Sequence, residues 1–151
     1  MIALLQRVSW VKLRIGGEMH AETGPGLLAF IGVEKPDTPA VAERLFNKIL
    51  NYRVFSDTGS RMNLSLNDNA GDLMLVSQFT LAATTDKGLR PGFSSAKEPA
   101  EAERIYNHLV DMAVTHFGTS QGTVRSGVFA ADMKVQLEND GPVTFIVKVS
   151  E

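Results

Sequence analysis

The chain has 151 residues, of which 44% are hydrophobic and 21% charged, a balance typical of a folded globular domain rather than a disordered segment. Its 15 Lys and Arg and 17 Asp and Glu give a formal net charge of −2, which argues against a protein that grips long nucleic acid by neutralising many phosphates. There is no cysteine, which excludes disulfides, thiolate metal sites and a cysteine nucleophile, and no apolar run approaches the roughly 20 residues that span a bilayer. We expect one cytoplasmic domain over residues 1–151 with no membrane partner.

The first part of the chain is predicted to contain strands and one helix. Apolar and polar residues alternate loosely up to Gly16-Gly17, a hairpin-type turn, and two further strand-like runs follow. The predicted strand ranges are 2–15, 19–23 and 27–33. Thr38 and Pro39 are typical of a helix start, and the apolar residues that follow at helical spacing predict a helix packed on a sheet. Weaker strand signals cover 52–55 and 61–66.

A continuous apolar run, Leu73 to Val76, predicts a strand covered on both faces. Four residues that are not aliphatic follow at once: Ser77, Gln78, Phe79 and Thr80. A buried strand that ends this way brings polar groups to the rim of a core, where ligand sites are often built. The alternative is that these side chains only satisfy local backbone groups.

The segment after Leu81 is predicted to be a loop, because Gly88, Pro91 and Gly92 interrupt it. Lys87 and Arg90 place two cations beside the polar strand end. They are candidate phosphate contacts, although a solvated loop explains them equally well.

The remainder is predicted to be one helix followed by strands. Pro99 is expected to open the helix and Gly118 to end it. Strands are expected over 123–129, 133–137 and 143–149. The Asn-Asp-Gly sequence at 139–141 separates the last two and is a hairpin turn signal.

The sequence contains few groups suited to catalysis. A nucleophilic hydroxyl needs a base, and nothing near Ser77 or Thr80 in sequence supplies one. The chain has three histidines, His20, His108 and His116, and their spacing predicts no metal site. A distal histidine could still serve a general esterase, since catalytic groups assemble from distant positions. From the residues alone, the prediction is an α+β domain with a polar site near 77–80.

A resemblance extends this interpretation. Ser77-Gln78-Phe79-Thr80-Leu81, together with Asn139-Asp140-Gly141-Pro142-Val143-Thr144, resembles the paired signature of the D-aminoacyl-tRNA deacylases. The likeness runs along the whole chain, from Gln6-Arg7-Val8 to the stretch between Gly127 and Met133. It implies an α+β fold, with a mostly antiparallel, barrel-like sheet and two main helices packed outside, in a homodimer.

The resemblance also implies an activity. Family members remove D-amino acids esterified to the 3'-terminal adenosine of transfer RNA, and for this chain we expect no cofactor or metal. On this basis Gly141-Pro142, joined by a cis peptide bond, would enter the partner subunit's pocket and exclude L side chains, while glycine would escape exclusion. The ribose 2'-hydroxyl of the substrate would be the reactive group, with the Phe79 and Thr80 main-chain N–H groups stabilising the oxyanion. A Thr80 nucleophile is the rival mechanism.

The resemblance gives further residues a role. Ser77 and Gln78 would orient the terminal adenosine, with Phe79 close enough to stack on it. Phe129 and Met133 would line the pocket, and Arg7 would brace the Gly-Pro loop. Lys87 and Arg90 would contact RNA phosphates at the acceptor end. The competing hypotheses are a general small-ester hydrolase and a non-catalytic interaction domain.

Overall fold

The computed structural model describes residues 1–86, 88–118 and 122–151, and within them the chain forms eight β-strands and three α-helices. The strands are β1 Ile2–Ile15, β2 Glu18–Thr23, β3 Gly26–Gly32, β4 Phe55–Ser56, β5 Met62–Leu64, β6 Asp72–Ser77, β7 Val124–Ser126 and β8 Met133–Lys148. The helices are α1 Pro39–Asn51, α2 Leu66–Asn69 and α3 Pro99–Phe117. Most of the predicted elements are therefore confirmed, although β4, β5 and β7 are shorter than expected.

The main sheet is mixed, so the prediction of a mostly antiparallel sheet requires correction. β1 pairs antiparallel with β2, β3 and β8, whereas the pairings of β3 with β6 and of β6 with β7 are parallel. The reason is that the connections from β3 to β6 and from β6 to β7 carry α1 and α3, and such crossovers return the chain in the same direction. β2 also contacts β7, and the sheet forms a nearly closed, barrel-like structure as expected.

Two main helices pack against each other outside this sheet, as predicted. α1 begins at Pro39, but the Thr38 side chain makes no capping hydrogen bond, so proline is the effective start signal. The short α2 was not predicted from the sequence. It is stabilised by a capping box between Ser65 and Asp68, whose side chains each accept from the other's backbone N–H. No α-helix in the described ranges is long and apolar enough to cross a membrane.

The run from Leu73 to Val76 is buried on both faces, which confirms its predicted character. Leu73 and Leu75 pack in the core between the sheet and the helices. Met74 and Val76 point to the other face and join Val8, Val11, Leu13 and Leu28 inside the curved sheet. Alternate residues of β6 thus supply two separate cores, which explains why the run lacks polar positions.

The predicted hairpin at Asn139–Gly141 is wrong. Both halves of β8 pair with the same strand, β1, on the same side. Asn139 lies opposite Val8, and Thr144 lies opposite Gln6, so the residues between them bulge out of the ladder. β1 is long enough to pair with both halves of β8. The local turn signal contains no information about this distant partner strand. We call residues 139–143 the Gly-Pro bulge.

Candidate active site

A cavity of about 730 Å³ opens at the carboxyl end of β6. Its walls come from β3, β6, the start of α3 and the segment before β8. Its lining includes Phe30, Ser77, Gln78, Phe79, Phe93, Ala102, Tyr106, Phe129 and Met133. The largely apolar wall with a few polar groups has the character of a small-molecule site.

Ser77, Gln78 and Phe79, the first three residues of the segment 77–82, form one edge of this cavity. β6 ends at Ser77, and residues Phe79–Ala82 form a single turn of 3₁₀ helix. The Gln78 N–H donates to the Ile31 carbonyl at 2.8 Å, which fixes the turn to β3. Gly32 allows this approach, because a Cβ there would lie 2.8 Å from the Leu81 Cβ.

Two main-chain donors at the start of this turn are free. Within the described parts of the chain, neither the Phe79 N–H nor the Thr80 N–H donates to another protein group. The first N–H groups of a helical turn have no partner inside the turn, which explains their availability. Adjacent free N–H groups beside a cavity are suited to bind a developing oxyanion.

The side chains of the predicted motif have different environments. Ser77, Gln78 and Phe79 line the cavity, whereas Thr80 is exposed and does not. The Thr80 hydroxyl accepts a hydrogen bond from the Gln78 side-chain amide at 2.5 Å. Phe79 is 60% exposed and packs beside Phe93, with 5.0 Å between the ring centroids. The two rings form an exposed aromatic surface at the cavity mouth.

The opposite wall contains both of the predicted lining residues, Phe129 and Met133. The Phe129 ring lies 6.2 Å from that of Tyr106. Ala130 follows with a φ of 60°, a conformation that costs an L-residue free energy and turns the chain beside the cavity. Burial raises the pKa of Tyr106, so the phenol is protonated near neutral pH, and its hydroxyl donates to the Leu75 carbonyl at 3.0 Å.

The Gly-Pro bulge does not line the cavity of its own chain. Asp140, Gly141 and Pro142 are exposed, and the Gly141–Pro142 peptide bond is cis. The Asn139 side chain closes the bulge, since its amide donates to the Val143 carbonyl at 3.0 Å and its oxygen accepts from the Val143 N–H at 2.9 Å. A Cβ on Gly141 would lie 2.2 Å from the Val143 nitrogen, so only glycine fits this backbone.

Arg7 connects the bulge to the body of the protein. Its guanidinium donates to the Asp140 carbonyl at 3.0 Å and to the Val54 carbonyl at 2.7 Å. It also forms an ion pair with the Asp140 carboxylate. The side chain is part-buried, which strengthens such contacts relative to an exposed pair.

The structure separates the predicted site residues into groups. The cavity brings together Ser77, Gln78, Phe79, Phe129 and Met133, while Arg7 joins the bulge that contains Gly141 and Pro142. Arg90 is exposed in the loop after the 3₁₀ turn and does not line the cavity, and Lys87 lies outside the described residues.

None of the three histidines lines the cavity, and within the described residues no group of three or more His, Cys, Asp or Glu is placed to bind a metal. Sequence reasoning missed Tyr106, Phe30 and Ala102. Tyr106 falls on the apolar stripe of α3, four residues after Ala102 and three before Leu109, so helical spacing would have found it.

The fold and site define an α+β protein with a largely apolar cavity at a strand end and free backbone donors beside it. The family follows from sequence comparison, since residues 4–148 match the family described as D-Tyr-tRNA(Tyr) deacylase. The chain belongs to this family and is a hydrolase. It is 49% identical to the D-aminoacyl-tRNA deacylase of Erwinia tasmaniensis, over 99% of this chain and 100% of that protein. It is 51% identical to that of Pseudomonas fluorescens, over 98% and 99%.

Solved structures show the same fold. The c-Myc DNA unwinding element binding protein superposes with a TM-score of 0.91 at 32% identity, covering all of both chains. A probable eukaryotic D-amino acid tRNA deacylase superposes with a TM-score of 0.83 at 16% identity, covering 97% of each. This second likeness concerns the fold alone.

Proposed function

We propose that this protein hydrolyses the ester bond of D-aminoacyl-tRNA and releases a free D-amino acid and transfer RNA. The observation that carries the proposal is the cavity that begins at Ser77, Gln78 and Phe79, in a chain that matches the deacylase family over residues 4–148. A volume of about 730 Å³ accommodates an aminoacyl group with the adenosine that carries it. A transfer RNA substrate also makes the cytoplasm the natural location.

We further propose that the active form is a homodimer in which each Gly-Pro bulge reaches the other subunit's cavity. The tip of the bulge, from Asp140 to Pro142, is exposed, and no bulge residue lines the cavity of its own chain, so a second copy is needed to bring the two together. A dimer would also bury apolar surface. Ile146 is 68% exposed and lies opposite Leu4, which in turn lies opposite Phe30 at the cavity wall. These three side chains share one face of the sheet.

The enzyme would distinguish D- from L-aminoacyl groups by sterically excluding the L side chain. Main-chain carbonyls of Gly141 and Pro142 would hold the amino group of the substrate and leave no space for an L side chain. The support is the rigidity of the bulge, which is tied by Asn139 to Val143 and by Arg7 to Asp140. Glycine has no side chain to exclude, so mischarged glycyl-tRNA would also be hydrolysed.

Catalysis would be assisted by the substrate. The ribose 2'-hydroxyl would activate the attack, and the Phe79 and Thr80 N–H groups would stabilise the oxyanion. Three observations support this mechanism: the free state of these two donors, the lack of a histidine in the cavity lining, and the hydrogen bond that already holds the Thr80 hydroxyl. A general esterase that uses a distal histidine has no such support.

Contact with the RNA would be confined to its acceptor end. Phe79 and Phe93 offer an exposed aromatic surface on which a base could stack. Arg90 precedes Phe93 in the sequence, is exposed and would bind a phosphate. We assign Lys87 the same role from its sequence position. With a net charge of −2, few phosphates would be neutralised, so binding should weaken only modestly as salt rises.

The decisive experiment incubates the protein with matched D- and L-aminoacyl-tRNA and measures the amino acid released. Selective release of the D-amino acid is expected, and equal inertness toward both would identify a binding module instead. A substrate whose terminal adenosine lacks the 2'-hydroxyl should be hydrolysed at least about a hundredfold more slowly, because the proposed activating group is missing. Unchanged hydrolysis of that substrate would refute substrate assistance.

The shared site is tested by mixing two inactive variants. Gly141→Ala disrupts the bulge but leaves the cavity open, whereas Ala102→Trp fills the cavity from α3 and leaves the bulge intact. In a mixed dimer, one intact cavity receives one intact bulge, so activity should return. No recovery in mixtures shown to contain the mixed dimer would place the bulge and cavity of one site on the same subunit.

A further inference from the structure

Thr144 follows the Gly-Pro bulge, at the point where β8 rejoins the ladder with β1. It lies opposite Gln6, and its side chain is exposed. The Thr144 hydroxyl accepts a hydrogen bond from the Gln6 side-chain amide at 3.2 Å. Taken alone, this contact is an ordinary side-chain pair between neighbouring strands.

A second contact of the same hydroxyl reaches back across the bulge. Thr144 also accepts from the Asn139 side-chain amide at 3.2 Å. A threonine hydroxyl has two acceptor lone pairs, so one binds a donor from β1 and the other binds a donor from the start of the bulge. Asn139 lies opposite Val8, where β8 leaves the ladder. Thr144 therefore connects the two ends of the bulge, which an ordinary strand pair does not do.

Asn139 in turn holds the bulge closed. Its side-chain oxygen accepts from the Val143 N–H at 2.9 Å, and its amide nitrogen donates to the Val143 carbonyl at 3.0 Å. With the bond to Thr144, both N–H donors of this amide are used. Loss of the Thr144 hydroxyl would leave the Asn139 side chain held by Val143 alone, and the exposed tip over 140–142 would be less constrained.

Arg7 constrains the bulge from a different direction. It binds Asp140 at the tip, whereas Gln6, its neighbour on β1, binds Thr144. Successive residues of a strand point to opposite faces of the sheet, and β1 pairs regularly with β3 through these positions. Gln6 and Arg7 therefore act on the bulge from the two faces, and Thr144 is the link on the face opposite Arg7.

We propose that Thr144 is a positioning residue for the Gly-Pro bulge: its hydroxyl, supported by Gln6, orients the Asn139 amide and so sets the main-chain geometry that distinguishes D- from L-aminoacyl groups. The inference rests on the proposed function for its catalytic consequence. Thr144 does not line the cavity of its own chain, so it acts through the bulge rather than on the reacting atoms.

The test compares Thr144→Val, which keeps the shape of the side chain and removes the hydroxyl, with Thr144→Ser, which keeps the hydroxyl. We expect the ratio of kcat/KM for D- over L-aminoacyl-tRNA to fall at least about tenfold in Thr144→Val, because a small displacement of a binding group is costly. Thr144→Ser should stay within about twofold of the wild type. Thr23→Val is the matched control, since the buried Thr23 hydroxyl has no hydrogen-bond partner among the described residues.

Gln6→Leu tests whether Gln6 acts through Thr144. The single variant should lower the D-over-L ratio about threefold, less than Thr144→Val, because the contact between Thr144 and Asn139 remains. The double variant should behave like Thr144→Val alone, since residues that act in series have non-additive effects. Additive losses would contradict the supporting role of Gln6.

A measurement without substrate separates this inference from the proposed function. Amide hydrogen exchange at Val143 should be slow in the wild type and in Thr144→Ser, and at least about tenfold faster in Thr144→Val, because the Asn139 oxygen is then no longer fixed as the acceptor. The Val149 amide, which donates to the Met1 carbonyl at 3.0 Å, is the internal reference and should not change. A wild-type protein without D-selective hydrolysis would refute the proposed function, and the exchange pattern would then decide whether Thr144 holds the bulge.

Three outcomes would overturn the inference. One is a wild-type D-over-L ratio in Thr144→Val, and another is an equal loss in Thr144→Ser, which would show that the hydroxyl is not responsible. The third is loss of the dimer in Thr144→Val, measured by sedimentation, which would assign Thr144 to subunit association instead. If Thr144→Val fails to fold, Gln6→Leu decides, and an unchanged ratio in that variant would equally refute the positioning role.

Discussion

The Nε atom of Arg7 lies 3.0 Å from the Asp140 main-chain carbonyl oxygen and 3.0 Å from a carboxylate oxygen of the same residue. A second nitrogen of the guanidinium donates to the Val54 carbonyl. One side chain of β1 therefore joins the Gly-Pro bulge to the segment before β4. Since Asp140, Gly141 and Pro142 are exposed, their position relative to the body of the protein depends strongly on this residue.

Arg7→Lys should reduce D-aminoacyl-tRNA hydrolysis at least about tenfold, because an ammonium group cannot reach Asp140 and Val54 at once with fixed geometry. Steady-state kinetics on D- and L-substrates provide the measurement, and discrimination should weaken along with the rate. Arg14→Lys on the same strand is the control, since among the described residues the Arg14 side chain makes only an exposed hydrogen bond to Gln136. Equal kinetics for the two variants would contradict the bracing role.

Gly141→Ala should abolish most activity without preventing folding. The added Cβ would lie 2.2 Å from the Val143 nitrogen, so the bulge must change shape, yet its exposed residues Asp140, Gly141 and Pro142 belong to neither core. Activity assays and a thermal melt measure the two effects. Gly24→Ala is the control, because a Cβ there meets its nearest atom, an Asp72 carboxylate oxygen, at an ordinary 3.4 Å. Full activity in Gly141→Ala would show that the bulge does not hold the substrate.

Thr80→Ala should retain activity within about tenfold of the wild type, since the change removes one exposed hydrogen bond, the one to Gln78. Single-turnover hydrolysis of D-aminoacyl-tRNA is the appropriate measurement. Complete loss of activity in a folded Thr80→Ala protein, or an acyl group trapped on Thr80 in the wild type, would establish threonine as the nucleophile.

Asp37→Asn should lower the free energy of unfolding by roughly 3 kcal/mol, the scale expected when one partner of a buried ion pair is removed. Asp37 is 2% exposed and accepts from the Met1 ammonium at 2.5 Å and from the Glu34 N–H at 2.6 Å. Denaturant unfolding measures the change. Glu43→Gln, which removes an exposed contact to His108, should cost at most about 1 kcal/mol. Equal stability of the two variants would show that burial of the Met1–Asp37 pair is unimportant.

Local sequence signals predicted a helix or strand correctly wherever a single pattern was enough to specify it. The apolar run of β6, the start of α1 at Pro39 and the full extent of α3 were all readable, because each depends on periodicity or on a single residue with a restricted backbone. The residues of the α2 capping box, Ser65 and Asp68, were also present in the sequence. A four-residue helix is too short to show apolar periodicity, so the helix itself was not predicted.

By itself, the sequence determined the buried strand, its polar end at residues 77–80 and, through the paired motifs, the family. The tertiary structure alone decided what surrounds those residues. Asn-Asp-Gly reads as a hairpin because turn propensity is local, yet it forms a bulge because a distant strand, β1, offers one continuous partner to both sides of it. Likewise, nothing local to Leu75 specifies that a buried phenol from α3 donates to its carbonyl, since that depends on where the helix packs.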